Sequence, residues 1–191
     1  MTWQPNKLEQ ERLDKLRQIE ALGVEAFPAR VHRTHTTAQA LAAYAEWEAA
    51  NPDADKSGDD PAQGVTVTVC GRVRRQNIKG KVSFLHIEDE SGRVQLFMRV
   101  NDMDEAAYNL VREKLVELDD FVQATGTMMR TQAGEASVRV REFKLLAKAL
   151  SPLPVIKQQK QEDGTIIEFG EFNDVATRYR QRYADLAVNA D

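Results

Sequence analysis

The chain has 191 residues, 42% of them hydrophobic and 29% charged, with 26 Lys+Arg against 30 Asp+Glu and a formal net charge of −4. This length suits one compact core with attachments better than two full-sized domains, and no apolar run approaches the roughly 20 residues of a membrane-spanning helix. Cys70 is the single cysteine, which excludes an intrachain disulfide and a multi-cysteine zinc site.

The opening residues Met1 to Lys7 run into charged sequence without an apolar core or a small-residue cleavage site. No secretory leader is expected, and the location is expected to be cytoplasmic. His32, His35 and His86 are too scattered to suggest a metal site. Between residues 6 and 22, Leu8, Leu13, Leu16, Ile19 and Leu22 recur at helical spacing, and Gly23 supplies a C-terminal stop. Ala26-Phe27-Pro28-Ala29 breaks this pattern, and Thr36-Thr37 can cap a second helix from about Ala38 to Glu48. Residues 1–50 therefore form an N-terminal helical extension with amphipathic character. Residues 51–64 are acidic and rich in turn formers, and are expected to be a flexible loop.

From Val65 the period changes to two. Val65, Val67, Val69 and Val73 alternate with polar residues, as a half-buried strand requires. A second strand, about Lys81 to Asp89, turns Leu85 and Ile87 to one face and Phe84 and His86 to the other. A third, after Ser91-Gly92, sets Val94, Leu96, Met98 and Val100 against Arg93, Gln95, Phe97 and Arg99. A helix of about Asp104 to Val116 follows, then a strand near Phe121 to Arg130, a turn at Gln132 to Glu135, and a strand from Ser137 to about Leu146. Three strands, a helix and two strands is the order of an OB-fold barrel, whose outer face around strands 2 and 3 takes oligonucleotides. The fold class is thus mainly β with flanking helices, a five-stranded OB-fold barrel spanning residues 65–150. Another five-stranded barrel or an open meander would share the pattern. Ser151-Pro152-Leu153-Pro154 disfavours both helix and central strand and is taken as a linker. Residues 155–173 are a loop or hairpin, and 174–191 a helix.

The charge is unevenly spread: residues 65–150 carry 14 Lys+Arg against 12 Asp+Glu, the flanks 12 against 18. The basic excess is sharpest from Arg72 to Lys81, and Arg72, Arg74, Lys79, Lys81 and, further on, Arg139 are candidate phosphate-binding residues. If Leu85, Ile87, Val94 and Leu96 point inward, Phe84 and Gln95 point outward. An outward aromatic can stack on an unpaired base while an amide reads a base edge. The same residue could instead be covered by the N-terminal helix or another subunit, which is the expectation for Phe97.

The run Cys70-Gly71-Arg72-Val73, Gly80-Lys81-Val82-Ser83-Phe84, Asp89 and Gly92-Arg93-Val94-Gln95-Leu96 resembles the anticodon-binding OB domain of lysyl-, aspartyl- and asparaginyl-tRNA synthetases. Gly23 with Phe27-Pro28, Arg33-Thr34-His35-Thr36, and Arg178-Tyr179-Arg180-Gln181-Arg182-Tyr183-Ala184-Asp185-Leu186 are similar to bacterial class II lysyl-tRNA synthetases in particular. The resemblance implies that Phe84 stacks on an anticodon base, that Gln95 hydrogen-bonds anticodon bases, and that Glu135, in Gly134-Glu135, adds a base contact. Asn77 stands where the family often has an arginine. Either Arg75 replaces that contact or Asn77 makes a neutral one.

By the same resemblance, residues 151–191 are a linker and the start of a truncated catalytic domain. The full-length enzyme would ligate lysine to tRNA(Lys) with ATP and Mg2+ as a homodimer. This chain would bind the tRNA(Lys) anticodon with no membrane partner, no catalytic residue and no cofactor of its own. The alternatives are a stand-alone OB-fold module for single-stranded nucleic acid and a truncated synthetase paralogue.

Overall fold

A computed structural model describes residues 4–151, 153, 157–160, 166–169 and 175–188. The chain divides into two compact units, Met1–Leu150 and Ser151–Asp191.

In the first unit, β1 (Thr66–Lys79), β2 (Val82–Asp89), β3 (Gly92–Arg99), β4 (Phe121–Arg130) and β5 (Ala136–Ala147) close into a barrel of order β1-β2-β3-β5-β4. All neighbours are antiparallel except β3 and β5, which run parallel. The expected OB-fold barrel, mainly β with flanking helices, is therefore the observed fold. Its interior is filled by the apolar residues that alternate along the strands: Val67, Val69, Val73, Leu85, Ile87, Val94 and Leu96 are all buried, joined by Val138 and Val140 from β5. At about 25 cal/mol per Å2 of apolar area removed from water, this interior is the main stabilising term of the unit.

Two irregularities set the geometry of the outer face. Along β1, Val73 pairs with Ile87 but Arg75 pairs with His86, so Arg74 is an extra residue, a β-bulge. Odd-numbered residues point inward before it and outward after it. On β4, Gly126 lies at a second register shift, and a Cβ there would fall 2.0 Å from the Arg139 carbonyl oxygen, so only glycine allows that approach.

Helix α1 (Lys7–Ala21) starts with a capping box in which the Asn6 side chain accepts from Glu9 N–H and the Glu9 carboxylate accepts from Asn6 N–H. It docks through Ile19 and through Arg12, whose guanidinium donates to the Ala149 and Leu118 carbonyls at 2.8 and 3.1 Å. Leu8 and Leu22, from the predicted apolar stripe, stay exposed, because the buried residues of the helix lie between them, at Arg12 and Ile19. Helix α2 (Thr37–Ala50) carries a second capping box, Thr36 with Gln39. Its Thr37 N–H and hydroxyl both donate to the Asp89 carboxylate, at 2.8 and 2.7 Å. Those bonds pull Asp89 below the usual carboxylate range against the opposing effect of burial.

Helix α3 (Glu105–Arg112) ends four residues earlier than the period suggested, since Lys114 takes φ of 56°. Its Tyr108 is buried, and the hydroxyl donates to the Gly80 carbonyl at 2.9 Å. Residues 51–64, the predicted flexible loop, include a 3-10 turn at Pro61–Gln63 and bond to β4 and β5. Arg130 N–H donates to the Lys56 carbonyl at 2.9 Å, and Arg141 to the Gly58 and Asp59 carbonyls at 3.1 and 3.0 Å.

In the second unit, β6 (Lys157–Lys160) pairs antiparallel with β7 (Ile166–Phe169), the hairpin alternative for that segment. The single helix expected beyond it is two, α4 (Val175–Arg180) and α5 (Arg182–Val188), broken at Gln181. Arg178 and Arg182 both donate to the buried Asp185 carboxylate, at 2.7 and 2.8 Å. Pro152 and Pro154 of the predicted linker, and Met1 to Trp3, lie outside the described residues.

Candidate nucleic-acid interface

The bulge at Arg74 and the strand register bring one outer face together. Asn77 stands opposite Phe84 across β1 and β2, Arg75 opposite His86, Phe84 opposite Phe97 and His86 opposite Gln95 across β2 and β3. The parallel β3–β5 pairing adds Ser137 beside Gln95 and Arg139 beside Phe97. Apart from the buried Ser137, these residues, with the β4–β5 turn, line an open concavity of about 850 Å3, a size that takes a small planar ligand or an extruded base. Phe84 is half-buried and rests on Phe97 with ring centroids 5.4 Å apart and planes 58° apart. Phe97, expected to be covered by the N-terminal helix or another subunit, is not covered by that helix and lines the concavity as the second wall of an aromatic pair.

Beside the rings, polar groups are tied into a chain. Ser137 Oγ donates to Gln95 Oε1 at 2.9 Å, Gln95 Nε2 donates to Glu135 Oε2 at 2.6 Å, and His86 Nε2 lies 3.2 Å from Glu135 Oε1. Gln95 is 8% exposed, whereas the Glu135 side chain remains 48% exposed. The turn that presents Glu135 is built locally. Gly134 adopts φ of 86°, its N–H donates to the Thr131 carbonyl at 2.8 Å, and Thr131 N–H donates to the Glu135 carbonyl at 3.0 Å. Arg130 braces it from below: Nη1 donates to the Gly134 carbonyl at 2.6 Å while Nε donates to Glu48 of α2 at 2.8 Å. That bond from Arg130 is the main cause of the lowered Glu48 carboxyl and the raised Arg130 guanidinium.

The predicted cations divide. Arg75 and Lys79 are exposed on the same side of β1 as Asn77, and Lys81 is exposed at the following turn. Arg72 and Arg74 are not with them. Arg72 lies 4.5 Å over the Phe121 ring, and Arg74 is ion-paired with Glu88 at 3.7 Å and Asp119 at 3.5 Å, toward the other end of the strand pair. Burial lowers the Arg72 guanidinium.

Arg139 is a correction. Its side chain is 5% exposed and is consumed by protein groups, Nε on Asp102 at 2.7 Å, Nη2 on Asp59 at 2.6 Å and Nη1 on the Ser57 carbonyl at 3.1 Å, so it does not offer a free charge to phosphate. Burial alone would raise the Asp102 carboxyl, but hydrogen bonds from Arg139 and Arg99 hold it below its ordinary value. The bond from Arg139 similarly lowers Asp59.

Phe84, Gln95, Glu135, Arg75 and Asn77, the five candidate base-contacting residues, thus converge on one surface. Sequence reasoning missed Ser137, Arg130 and Thr131. Ser137 could not be placed because a parallel β3–β5 contact has no local signal. Arg130 and Thr131, flanking the turn ahead of Gly134-Glu135, were findable as the residues that must brace a five-residue hairpin loop. Among the described residues no group of three or more His, Cys, Asp or Glu could hold a metal ion, and no helix is long and apolar enough to cross a membrane. The surface can seat a flat heterocycle on an aromatic ring and read its edge with an amide and a carboxylate.

Residues 67–146 match the tRNA anti-codon family model, described as an OB-fold nucleic acid binding domain. Over nearly its whole length the chain is similar to lysine–tRNA ligases: 37% identical over 184 residues to that of Dehalococcoides mccartyi strain 195, covering 96% of this chain and 32% of the relative. Identity is 38% over 187 residues with that of Roseiflexus castenholzii, covering 97% and 33%. With that of Porphyromonas gingivalis it is 36% over 183 residues, covering 94% and 29%. The chain spans about a third of the length of the curated relatives it matches.

Proposed function

We propose, from a barrel that is an OB-fold tRNA anticodon-binding domain matching the N-terminal part of lysine–tRNA ligases, that this chain reads the uridine-rich anticodon of tRNA(Lys). The observation that supports this most directly is the adjacency of the Phe84–Phe97 pair to the hydrogen-bonded Gln95–Glu135 pair on one outer face. Phe84 offers a ring for stacking. The Glu135 carboxylate accepts an N3–H and the Gln95 amide donates to a neighbouring carbonyl, which is the edge that uridine presents. Arg75, Lys79 and Lys81 supply charge for the phosphates, and Asn77 a neutral polar contact.

In the longer ligase this activity would select the tRNA to which lysine is joined. The reaction would use ATP and Mg2+ in the two thirds of such a protein that this chain does not span, in the cytoplasm and as a homodimer. Residues 1–191 act in binding alone. Fluorescence titration of the chain with anticodon stem-loops tests the reading: a UUU loop should bind tighter than loops of other sequence. Equal affinities would instead assign the barrel to general single-stranded nucleic-acid binding.

A further inference from the structure

We propose that His86 is a positioning residue for base selection: by holding its proton on Nε2 it fixes Glu135 as an acceptor and leaves Gln95 an amide hydrogen for the base. The inference rests on the anticodon reading above and concerns what the Gln95–Glu135 pair presents to a nucleobase.

The orientation of the Gln95 amide is settled by its neighbours. Oε1 receives the Ser137 hydroxyl at 2.9 Å and Nε2 gives one hydrogen to Glu135 Oε2 at 2.6 Å. The flipped amide would set its oxygen against the carboxylate. One hydrogen of Nε2 is left over, and His86 Nε2 lies 3.4 Å from Gln95 Nε2 and 3.2 Å from Glu135 Oε1. The imidazole tautomer decides where that hydrogen goes.

With the proton on Nδ1, His86 Nε2 would accept from Gln95 and spend its second hydrogen, and a lone pair would face Glu135 Oε1 at 3.2 Å. The Nδ1–H would also be buried without a partner among the described residues. An orphaned buried N–H is rarer and costlier than an orphaned acceptor. With the proton on Nε2, His86 donates to Glu135 Oε1, a bare Nδ1 lone pair takes the buried position, and Gln95 keeps a second amide hydrogen that His86 does not accept.

The pair then presents a carboxylate acceptor beside an amide donor. That order complements the N3–H and adjacent carbonyl of uracil and opposes the bare N3 and amino group of cytosine. His86 need not touch the base to impose the choice.

Two measurements test this on the 191-residue chain. Nitrogen-15 histidine spectra of the free protein should show the Nε2-protonated pattern for His86, and the Nδ1-protonated pattern would overturn the proposal. Separately, the wild type, His86→Leu and His86→Gln are titrated with two anticodon stem-loops that differ only by U or C at the stacked position. His86→Leu should lose roughly tenfold of the preference for U, the scale of one lost base-reading contact. His86→Gln, whose amide can donate to the same carboxylate oxygen, should keep the preference within about twofold. A wild-type ratio in His86→Leu, or an equal loss in both variants, overturns the inference. Absence of any U-over-C preference in the wild type would overturn the anticodon reading instead, leaving the tautomer measurement to decide the state of His86.

Discussion

Across the β1–β2 pair Arg75 stands opposite His86, one residue out of step with Val73 opposite Ile87. The extra residue, Arg74, changes which residues of β1 face outward. Were Arg74 paired in regular register instead of bulged, Arg75 and Asn77 would share the inward parity of Val67, Val69 and Val73, and the concavity would be flanked by Gln76 and Ile78. The bulge is thus the local reason that a cation and an amide flank Phe84.

Removing either half of the base-reading surface should weaken RNA binding by a comparable amount. Phe84→Ala and Gln95→Ala are each expected to lower affinity for a UUU anticodon stem-loop by about 1–3 kcal/mol, whereas Phe84→Tyr keeps the platform and most of the affinity. Anisotropy titration checks this, and unchanged affinity in both alanine variants would refute the site.

The divided cations give a prediction about salt. Arg75→Ala and Lys79→Ala should each reduce the slope of log K against log salt by about 1, with similar effect on every RNA sequence. Arg72→Ala and Arg74→Ala, engaged by Phe121 and by Glu88 and Asp119, should leave the slope unchanged. Titrations from low to high salt separate the two pairs, and a sequence-selective loss in the first would show that those side chains read bases.

Arg139 should matter for folding more than for RNA. Arg139→Leu strands the carboxylate of Asp102, whose side chain is 4% exposed, with Arg99 and the more distant Arg141 as its remaining cations. A cost of about 3 kcal/mol is expected, near the lower end for breaking a buried pair. Urea unfolding measures it.

The same residue shapes the response to acid. Asp102 and Asp59 both titrate below their ordinary values in the folded protein. Depressed carboxyls contribute stability that is present above the unfolded carboxylate value, about 3.9, and is lost as pH falls through the lower folded value. The wild type should therefore lose stability below about pH 4, and Arg139→Leu should show a shallower acid limb. Unfolding midpoints across pH 2–7 test it, and parallel limbs in the two proteins would count against the pairing.

Gly126→Ala would place a methyl 2.0 Å from the Arg139 carbonyl oxygen, in backbone that cannot yield without disturbing the β4–β5 register. A loss of at least about 3 kcal/mol is expected, visible as a lowered midpoint or insoluble expression.

The sequence made the barrel legible because its strands carry a period of two in Val, Leu and Ile, and the outward parity of Phe84 and Gln95 follows from that period alone. Parity failed where the chain breaks it. Arg74 looks like an outer-face residue by counting, and only the register reveals the bulge. Arg139 was misjudged for a different reason. Outward parity put it on the outer face, where the β3–β5 register sets it beside Phe97, but Asp59 and Asp102 reach it from a loop and a 3-10 turn whose positions no pattern encodes. The exposed Leu8 and Leu22 show the same limit in a helix, where spacing marks a stripe but not how much of it finds a partner.

The bonds from Thr37 to Asp89 span 52 residues of sequence. Helix α2 therefore begins on an acceptor that belongs to the β2–β3 turn. As the chain leaves the ribosome, residues 37–50 emerge well before that turn exists, so the first turn of α2 lacks this anchor until β2 and β3 have paired. The anchoring of the α2 N-terminus on Asp89 is thus a product of barrel formation.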